Sequence, residues 1–374
     1  MKFTISREQF LKPLQLVASV VERRQTLPVL SNVLISLNNG KLSLTGTDLE
    51  VEIVGTVQLE ESGETQGGEI TLPARKLMDI CKSLPEKSEV RFFEDDSGRM
   101  TIASGRSRFT LATLPAAEFP SVDDNIGGVE FQTSADSLKD LIDSTAFAMA
   151  HQDVRYYLNG MLWEATSGRL RSVATDGHRL AMSTKSMPFS VPEKIQVIIP
   201  RKGVMELSRI LSGAGGEVVV VLGSNHVRIK SSDFVFTSKL VDGAYPDYER
   251  VLPKNGSKTM IGDREALRQA FSRAAILSNE KYRGVRLLLD DALLKITANN
   301  PEQEEAEEEV AVEYVGDSGL EIGFNVNYLI DVFNVLSGST VRFNFVDSNS
   351  SALVDDPASA EGSESVYVVM PMRL

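Results

Sequence analysis

The chain has 374 residues, 42% of them hydrophobic and 24% charged, which supplies real cores and excludes wholesale disorder. No uncharged apolar run reaches bilayer-spanning length, the charged start Met1-Lys2-Phe3-Thr4-Ile5-Ser6-Arg7-Glu8 has no signal-peptide core, and the single cysteine, Cys81, excludes an internal disulfide. These features predict a soluble protein of a reducing cytoplasm, while the net charge of -13 argues, as a bulk sum, against a nucleic-acid partner.

In chain order, one pattern appears three times. Each copy opens on a short strand followed by an amphipathic helix, at 8–14, 136–142 and 264–271, with Leu11, Leu138 and Leu267 in corresponding places. Hairpins follow at 33–37 with 42–45, at 160–164 with 170–174, and at 285–289 with 293–297. The loops after them, 47–49, 175–177 and 298–300, align as well. A second helix is predicted at 73–80, 200–207 and 325–332. Pro73 and Pro200 are expected at the first helical position and Asn325 as an N-cap. Strands at 90–93, 218–221 and 341–345 close the copies.

The shared order favours one duplicated α+β unit over three unrelated domains. The expected domains are 1–125, 126–255 and 256–374. Units that stack through edge strands either extend or close, and closure removes edges that invite aggregation. Three units alone need not close, so a ring of two chains is a natural completion.

Chemistry is sparse. Asp176 beside His178 matches no triad or metal spacing, and His151, His178 and His226 are expected to be structural or solvent-exposed. The glycines at 213, 215 and 216 follow a helix and precede a strand. A phosphate cradle needs the reverse order, so they are expected to stop the helix. Cys81 is expected to pack within its helix. No catalytic residue, metal site or cofactor is predicted.

Several long motifs together resemble one family. They include His151-Gln152-Asp153-Val154-Arg155-Tyr156-Tyr157-Leu158-Asn159-Gly160, Ala174-Thr175-Asp176-Gly177-His178-Arg179-Leu180 and the tail Val368-Val369-Met370-Pro371-Met372-Arg373-Leu374. The segments 42–50, 276–281 and 299–305 add to them. The chain resembles, end to end, the beta subunit of bacterial DNA polymerase III. The resemblance implies three repeats of the DNA-clamp fold in a head-to-tail homodimer, with helices lining the lumen of a closed ring and antiparallel sheets outside. It implies a non-catalytic, cytoplasmic processivity factor, at the nucleoid during replication. Such a factor encircles duplex DNA without sequence preference and binds the polymerase alpha subunit, the clamp loader and other proteins through short peptides. A peptide-binding scaffold or a nucleic-acid enzyme without encirclement is the alternative.

Site residues follow from the same resemblance. DNA-binding roles fall on Arg24, Arg75, Gln152, Tyr156 and Tyr157. Core packing at the start of a strand is the alternative for the two tyrosines. The partner cleft is expected at Leu158, Thr175, Gly177, His178, Arg179, Leu180, Pro246, Arg250, Val251, Ser351, Val368, Val369, Met370, Pro371, Met372 and Arg373. Flexible, polarizable methionines suit pockets that accept varied anchors. Glu249 departs from a position where relatives often carry a basic residue. The dimer interface is expected to set Lys76, Arg106, Arg108, Phe109 and Leu111 of one end against Ile276, Leu277, Glu304, Glu305, Glu307 and Glu308 of the other, a solvated loop being the alternative for the acidic run. Four helix windows, 6–24, 73–84, 200–212 and 263–278, carry more Lys and Arg than Asp and Glu. The windows 134–150 and 325–336 do not, yet all six together are net positive within an acidic chain. The acidic, Ser-rich segment 355–364 is expected to be a surface loop.

Overall fold

A computed structural model describes residues 1–22, 27–59, 65–122, 125–254, 256–359 and 362–373. The first repeat runs β1 (Lys2–Ser6), α1 (Arg7–Ala18), β2 (Asn32–Asn38), β3 (Lys41–Thr47), β4 (Val51–Gln58), β5 (Gly68–Pro73), α2 (Ala74–Ser83), β6 (Glu89–Glu94), β7 (Met100–Ser104) and β8 (Ser107–Leu111). The second repeats that order as β9 (Val129–Ser134), α3 (Ala135–Asp143), β10 (Gly160–Thr166), β11 (Arg169–Thr175), β12 (Arg179–Ser186), β13 (Ile195–Pro200), α4 (Arg201–Leu211), β14 (Glu217–Leu222), β15 (His226–Lys230) and β16 (Phe234–Lys239). The third is β17 (Lys258–Asp263), α5 (Arg264–Ala274), β18 (Gly284–Asp290), β19 (Leu293–Asn299), β20 (Glu305–Ala311), the extra short β21 (Glu313–Val315), β22 (Leu320–Asn325), α6 (Val326–Val335), β23 (Thr340–Phe345), β24 (Ala352–Asp355) and β25 (Ser363–Val369).

Strand pairing joins consecutive repeats. The first half of repeat one and the second half of repeat two form one sheet, β5-β2-β3-β4-β16-β15-β14-β9, through antiparallel pairing of β4 with β16. By the same rule β12 pairs with β25 in the sheet β13-β10-β11-β12-β25-β24-β23-β17-β21. Because each long sheet draws on two repeats, the chain packs as two compact units. One is Met1–Asp136 with Met205–Leu240; the other is Ser137–Val204 with Val241–Leu374. Each unit also holds a four-stranded sheet, β1-β6-β7-β8 in one and β20-β19-β18-β22 in the other. By repeat position β20 corresponds to β4 and β12, and β8 corresponds to β16 and β25. These two strands are left at sheet edges.

Local chemistry accounts for the elements. Ser6, Asp263 and Asn325 cap α1, α5 and α6 by accepting N–H groups from Gln9, Ala266 and Asn327, each worth about 1 kcal/mol. In the first unit α1 buries Phe10, Leu14 and Val17, and Phe10 meets Phe92 at 4.6 Å. In the second unit Phe271 of α5 stacks on Phe333 of α6 at 5.4 Å. Full burial of each such side chain stabilises by about 2–3 kcal/mol. The helix α1 lies so close to β4 that a Cβ on Gly55 would come within 2.8 Å of Pro13 Cβ.

Several sequence expectations change. Pro73 and Pro200 end the strands before α2 and α4, one residue earlier than expected. Strand β19 runs on through Ala298 and Asn299, so only Asn300 of the third loop lies outside it. The segment 355–364 is no simple loop. Asp355 ends β24, pairing with Arg342 at 2.6 Å, and Ser363 and Glu364 open β25. The glycines after α4 do stop that helix, with Gly216 at φ 79° ahead of β14, and Cys81 is buried on α2.

Candidate functional site

On one face of the nine-stranded sheet, alternate residues of five strands meet in an apolar floor. Leu162, Val173, Leu180, Met182, Ile198, Val366 and Val368 are buried there, with Leu353 beside them. Register brings them together, since Leu180 lies opposite Val368 and Val368 opposite Leu353. The connection after β16 lays Val241, Tyr245, Tyr248 and Leu252 over this floor. Burial pushes the Tyr245 phenol well above its ordinary pKa, so it stays protonated.

Tyr248 is held from beneath. Its hydroxyl accepts from Arg171 Nη1 at 3.0 Å and donates to Glu164 Oε1 at 3.2 Å. Gln196 and Lys194 satisfy the other Glu164 oxygen. A buried carboxylate with this many partners is tolerated, and it locks the wall that carries Pro246, Arg250 and Val251. Those three are exposed, and Arg250 pairs with Asp247 at 2.8 Å. Glu249 faces Arg171 at 3.8 Å, so the departure noted at this position is tied to the same network.

The rim is formed by two loops. In the turn after β11, Thr175 Oγ1 donates to the Arg179 carbonyl and accepts from the Gly177 N–H, while Asp176 accepts from His178 and Arg179. Gly177 has φ 88°, and a Cβ there would come within 3.0 Å of the Arg155 guanidinium. Arg155 is gripped by Asp153, and its hydrogen bond is the main cause lowering the Asp153 carboxyl to about 2. Tyr156 and Tyr157 lie in a 3-10 turn, 156–159, not at the start of a strand. Tyr157 packs on the apolar floor, whereas Tyr156 is 57% exposed and lies against Gly243. Leu158 is buried, and exposed Gln152 adopts φ 54°.

Arg179 and Val369 do not face the floor. Adjacent strand residues point to opposite faces, so with Leu180 and Val368 on the floor these two point to the helix side. There Arg179 stacks over Tyr328 at 4.6 Å and Phe147 at 5.1 Å, and it bonds Asp176, Asp331 and the Phe147 carbonyl. It therefore fastens the second repeat to α6 of the third. The tail crosses the same junction, because Met370 N–H donates to the His178 carbonyl and Met372 N–H to Gly323. Met370 and Arg373 are exposed, and Pro371, Met372 and Ser351 are half-buried. Leu353, Met182, Val366, Tyr245 and Tyr248 complete the floor and lid but carried no motif. For Leu353, Met182 and Val366 the only signal in the sequence is alternation, and the register that unites them joins distant strands; Tyr245 and Tyr248 lie on the connection after β16 and carry no such signal.

The basic helix residues are less free than their count implies. Lys12 pairs with Asp233, Lys139 with Asp143, Arg209 with Glu206, Arg268 with Glu265 and Arg273 with Glu308. Arg7 and Arg264 serve backbone carbonyls. Among the described residues, α2 presents Arg75, Lys76 and Lys82 exposed and without an ion pair, beside Asp79. Arg24 lies outside the described residues.

Of the interface candidates, Arg106 and Arg108 are exposed and Phe109 half-buried, in or beside β8. Leu111 is buried in its own unit and offers no free anchor. In the other unit, Ile276 is 74% exposed and Leu277 half-buried, in the turn after α5. The acidic run is strand and not loop: Glu305, Glu307 and Glu308 lie in β20 and Glu304 just before it. Glu307 pairs with Lys295 and Glu308 with Arg273, while Glu305 is exposed.

Three repeats joined by shared sheets define a clamp-type architecture, and comparison with known proteins gives the family. The chain matches the DNA polymerase III beta subunit in all three parts: the N-terminal domain over residues 1–123, the central domain over 132–247 and the C-terminal domain over 249–373. It is 61% identical to the beta sliding clamp of Pseudomonas aeruginosa and 54% identical to that of Escherichia coli, over 374 residues and the whole of each chain. A crystal structure of the Pseudomonas aeruginosa sliding clamp bound to griselimycin superposes with a TM-score of 0.95 at 61% identity, covering both chains fully. The chain belongs to the DNA polymerase III beta subunit family. Its function is that of a DNA sliding clamp, a non-catalytic processivity factor.

Proposed function

We propose that two copies of the chain close head to tail into a six-repeat ring around duplex DNA and hold the replicative polymerase there through the second–third cleft. The observation that carries closure is the strand rule. The pairings β4 with β16 and β12 with β25 leave β20 of one copy to pair with β8 of another. Ile276 and Phe109 supply apolar area beside this seam, and Arg106 and Arg108 meet exposed Glu304 and Glu305. A scaffold that never closed would leave both edges open to uncontrolled pairing. Sedimentation at micromolar concentration gives the mass of two chains; a single-chain mass contradicts closure.

Inside the ring, Arg75 and Lys82 of α2 give phosphates diffuse positive charge without base readout, which allows sliding. Gln152 and Tyr156, exposed at one loop, add polar and stacking contacts. Lys76 serves either DNA or the seam. Domains of 1–125, 126–255 and 256–374 give three equivalent units per chain. The cleft takes short peptides with apolar side chains from the polymerase alpha subunit, the clamp loader and other partners. The Pseudomonas aeruginosa relative binds griselimycin, a peptide ligand. The ring works in the cytoplasm. Among the described residues no helix is long and apolar enough to cross a membrane.

A further inference from the structure

The cleft at the second–third junction has a counterpart at the first–second junction. The turn Thr47-Asp48-Leu49 repeats Thr175-Asp176-Gly177 bond for bond. Thr47 Oγ1 donates to the Val51 carbonyl and accepts from the Leu49 N–H, and Asp48 accepts from Glu50 and Val51. Leu49 has φ 78°, close to the 88° of Gly177. From these turns the register carries the correspondence across each sheet. Thr47 lies opposite Glu52, Glu52 opposite Thr237 and Thr237 opposite Arg228. Thr175, Leu180, Val368 and Leu353 form the same row in the other sheet. Further along these strands Lys239 and His226 stand where Met370 and Ser351 stand, and Pro120 matches Pro246. Thr47, Leu49, Glu52, Pro120, His226 and Lys239 are among the residues that line a recess of about 420 Å³.

The two recesses differ in chemistry. The cleft floor is Leu180, Val368 and Leu353. The same row in the first sheet is Glu52, Thr237 and Arg228, of which Glu52 lines the recess, with Glu52 7% and Arg228 4% exposed. Glu52 accepts from the Val122 N–H at 3.1 Å, and Arg228 Nε donates to Thr237 Oγ1 at 2.9 Å. An apolar side chain entering here would gain no apolar floor from Glu52 and would strip water from exposed Lys239. Leu49 also adds an apolar side chain to the recess lining, at the place where Gly177 has none and lies against Arg155.

We infer that the first–second recess is a copy of the partner cleft closed to partner peptides, and that Leu49, Glu52 and Lys239, which line it, set the limit of one apolar peptide per chain. The inference rests on the second–third cleft being the peptide site. Its test is calorimetric titration of the full chain with griselimycin, with circular dichroism to confirm folding. The wild type takes one equivalent per chain. A variant carrying the cleft's residues in the recess, L49G/E52L/H226S/R228L/T237V/K239M, takes two. The reciprocal single change Met370→Lys, at an exposed position, weakens the one cleft at least tenfold. A folded six-fold variant that still takes one equivalent overturns the inference. So does unchanged affinity in Met370→Lys, which decides the matter even where the six-fold variant does not fold. No binding by the wild type overturns the cleft assignment itself, a result distinct from either.

Discussion

Arg179 on β12 reaches Asp331 on α6, binding the second repeat to the third through a side chain whose strand neighbour, Leu180, faces the opposite way into the cleft. One dipeptide thus serves both layers of the junction. Arg179 has 12% side-chain exposure and combines charge-assisted hydrogen bonds with stacking on Phe147 and Tyr328. Arg179→Ala should cost about 2–3 kcal/mol locally. Amide hydrogen exchange in α6 should quicken in that variant. Arg179→Lys should restore little, because lysine lacks the planar fork. Unchanged α6 protection in Arg179→Ala would contradict the clamping role.

Gly177 and Leu49 hold the same backbone conformation with opposite consequences. Gly177→Ala places a Cβ against Arg155 and forces an L residue to positive φ, costing about 1 kcal/mol. Leu49→Gly relieves the same strain and should be neutral or stabilising. Thermal unfolding of the two variants checks the pair; shifts of the same sign would show that the turns are not equivalent.

The Asp153 carboxyl titrates at about 2 because Arg155 donates to it. A lowered folded-state value means the pairing contributes above the ordinary carboxylate pKa of about 4 and fades as pH falls toward 2. Carboxyl NMR of Arg155→Met should move the Asp153 midpoint up toward about 4. A midpoint left near 2 would assign the shift to some other cause.

Burial pushes the Cys81 thiol to about 12, so almost no thiolate exists at pH 8 in the folded chain. Iodoacetamide should label Cys81 only as fast as the first unit opens, and in urea it should label at the rate of a free thiol. Rapid labelling of the native chain at pH 8 would contradict the packing of α2.

Ile276, exposed beside the acidic edge strand, is predicted to lie in the seam between copies. Ile276→Asp should raise the dimer dissociation constant at least tenfold without changing the fold of either unit. Equilibrium sedimentation checks this, and a dimer of wild-type strength would place the seam elsewhere.

Repeat order, helix positions and the Asn325 cap were legible in the sequence because they depend on local periodicity and capping chemistry. What stayed hidden was pairing between strands far apart in the chain. Nothing local to Leu353 or Tyr248 says that they share a floor with Leu180. Nothing in Glu307 or Glu308 says that they are strand residues with partners at Lys295 and Arg273. The orientation of Arg179 was missed because the motif named the residue without its face, which only the register of β12 against β25 supplies. Counting charges on helices also overstated the free positive charge, since most of those cations answer a neighbouring carboxylate or carbonyl.

Encirclement is tested most directly by topology. The chain is loaded onto nicked circular duplex DNA with its loader, freed from excess protein, and the circle is then cut once. Retention on the circle with rapid loss after cutting is the predicted result. Equal loss from circular and linear DNA would contradict a closed ring.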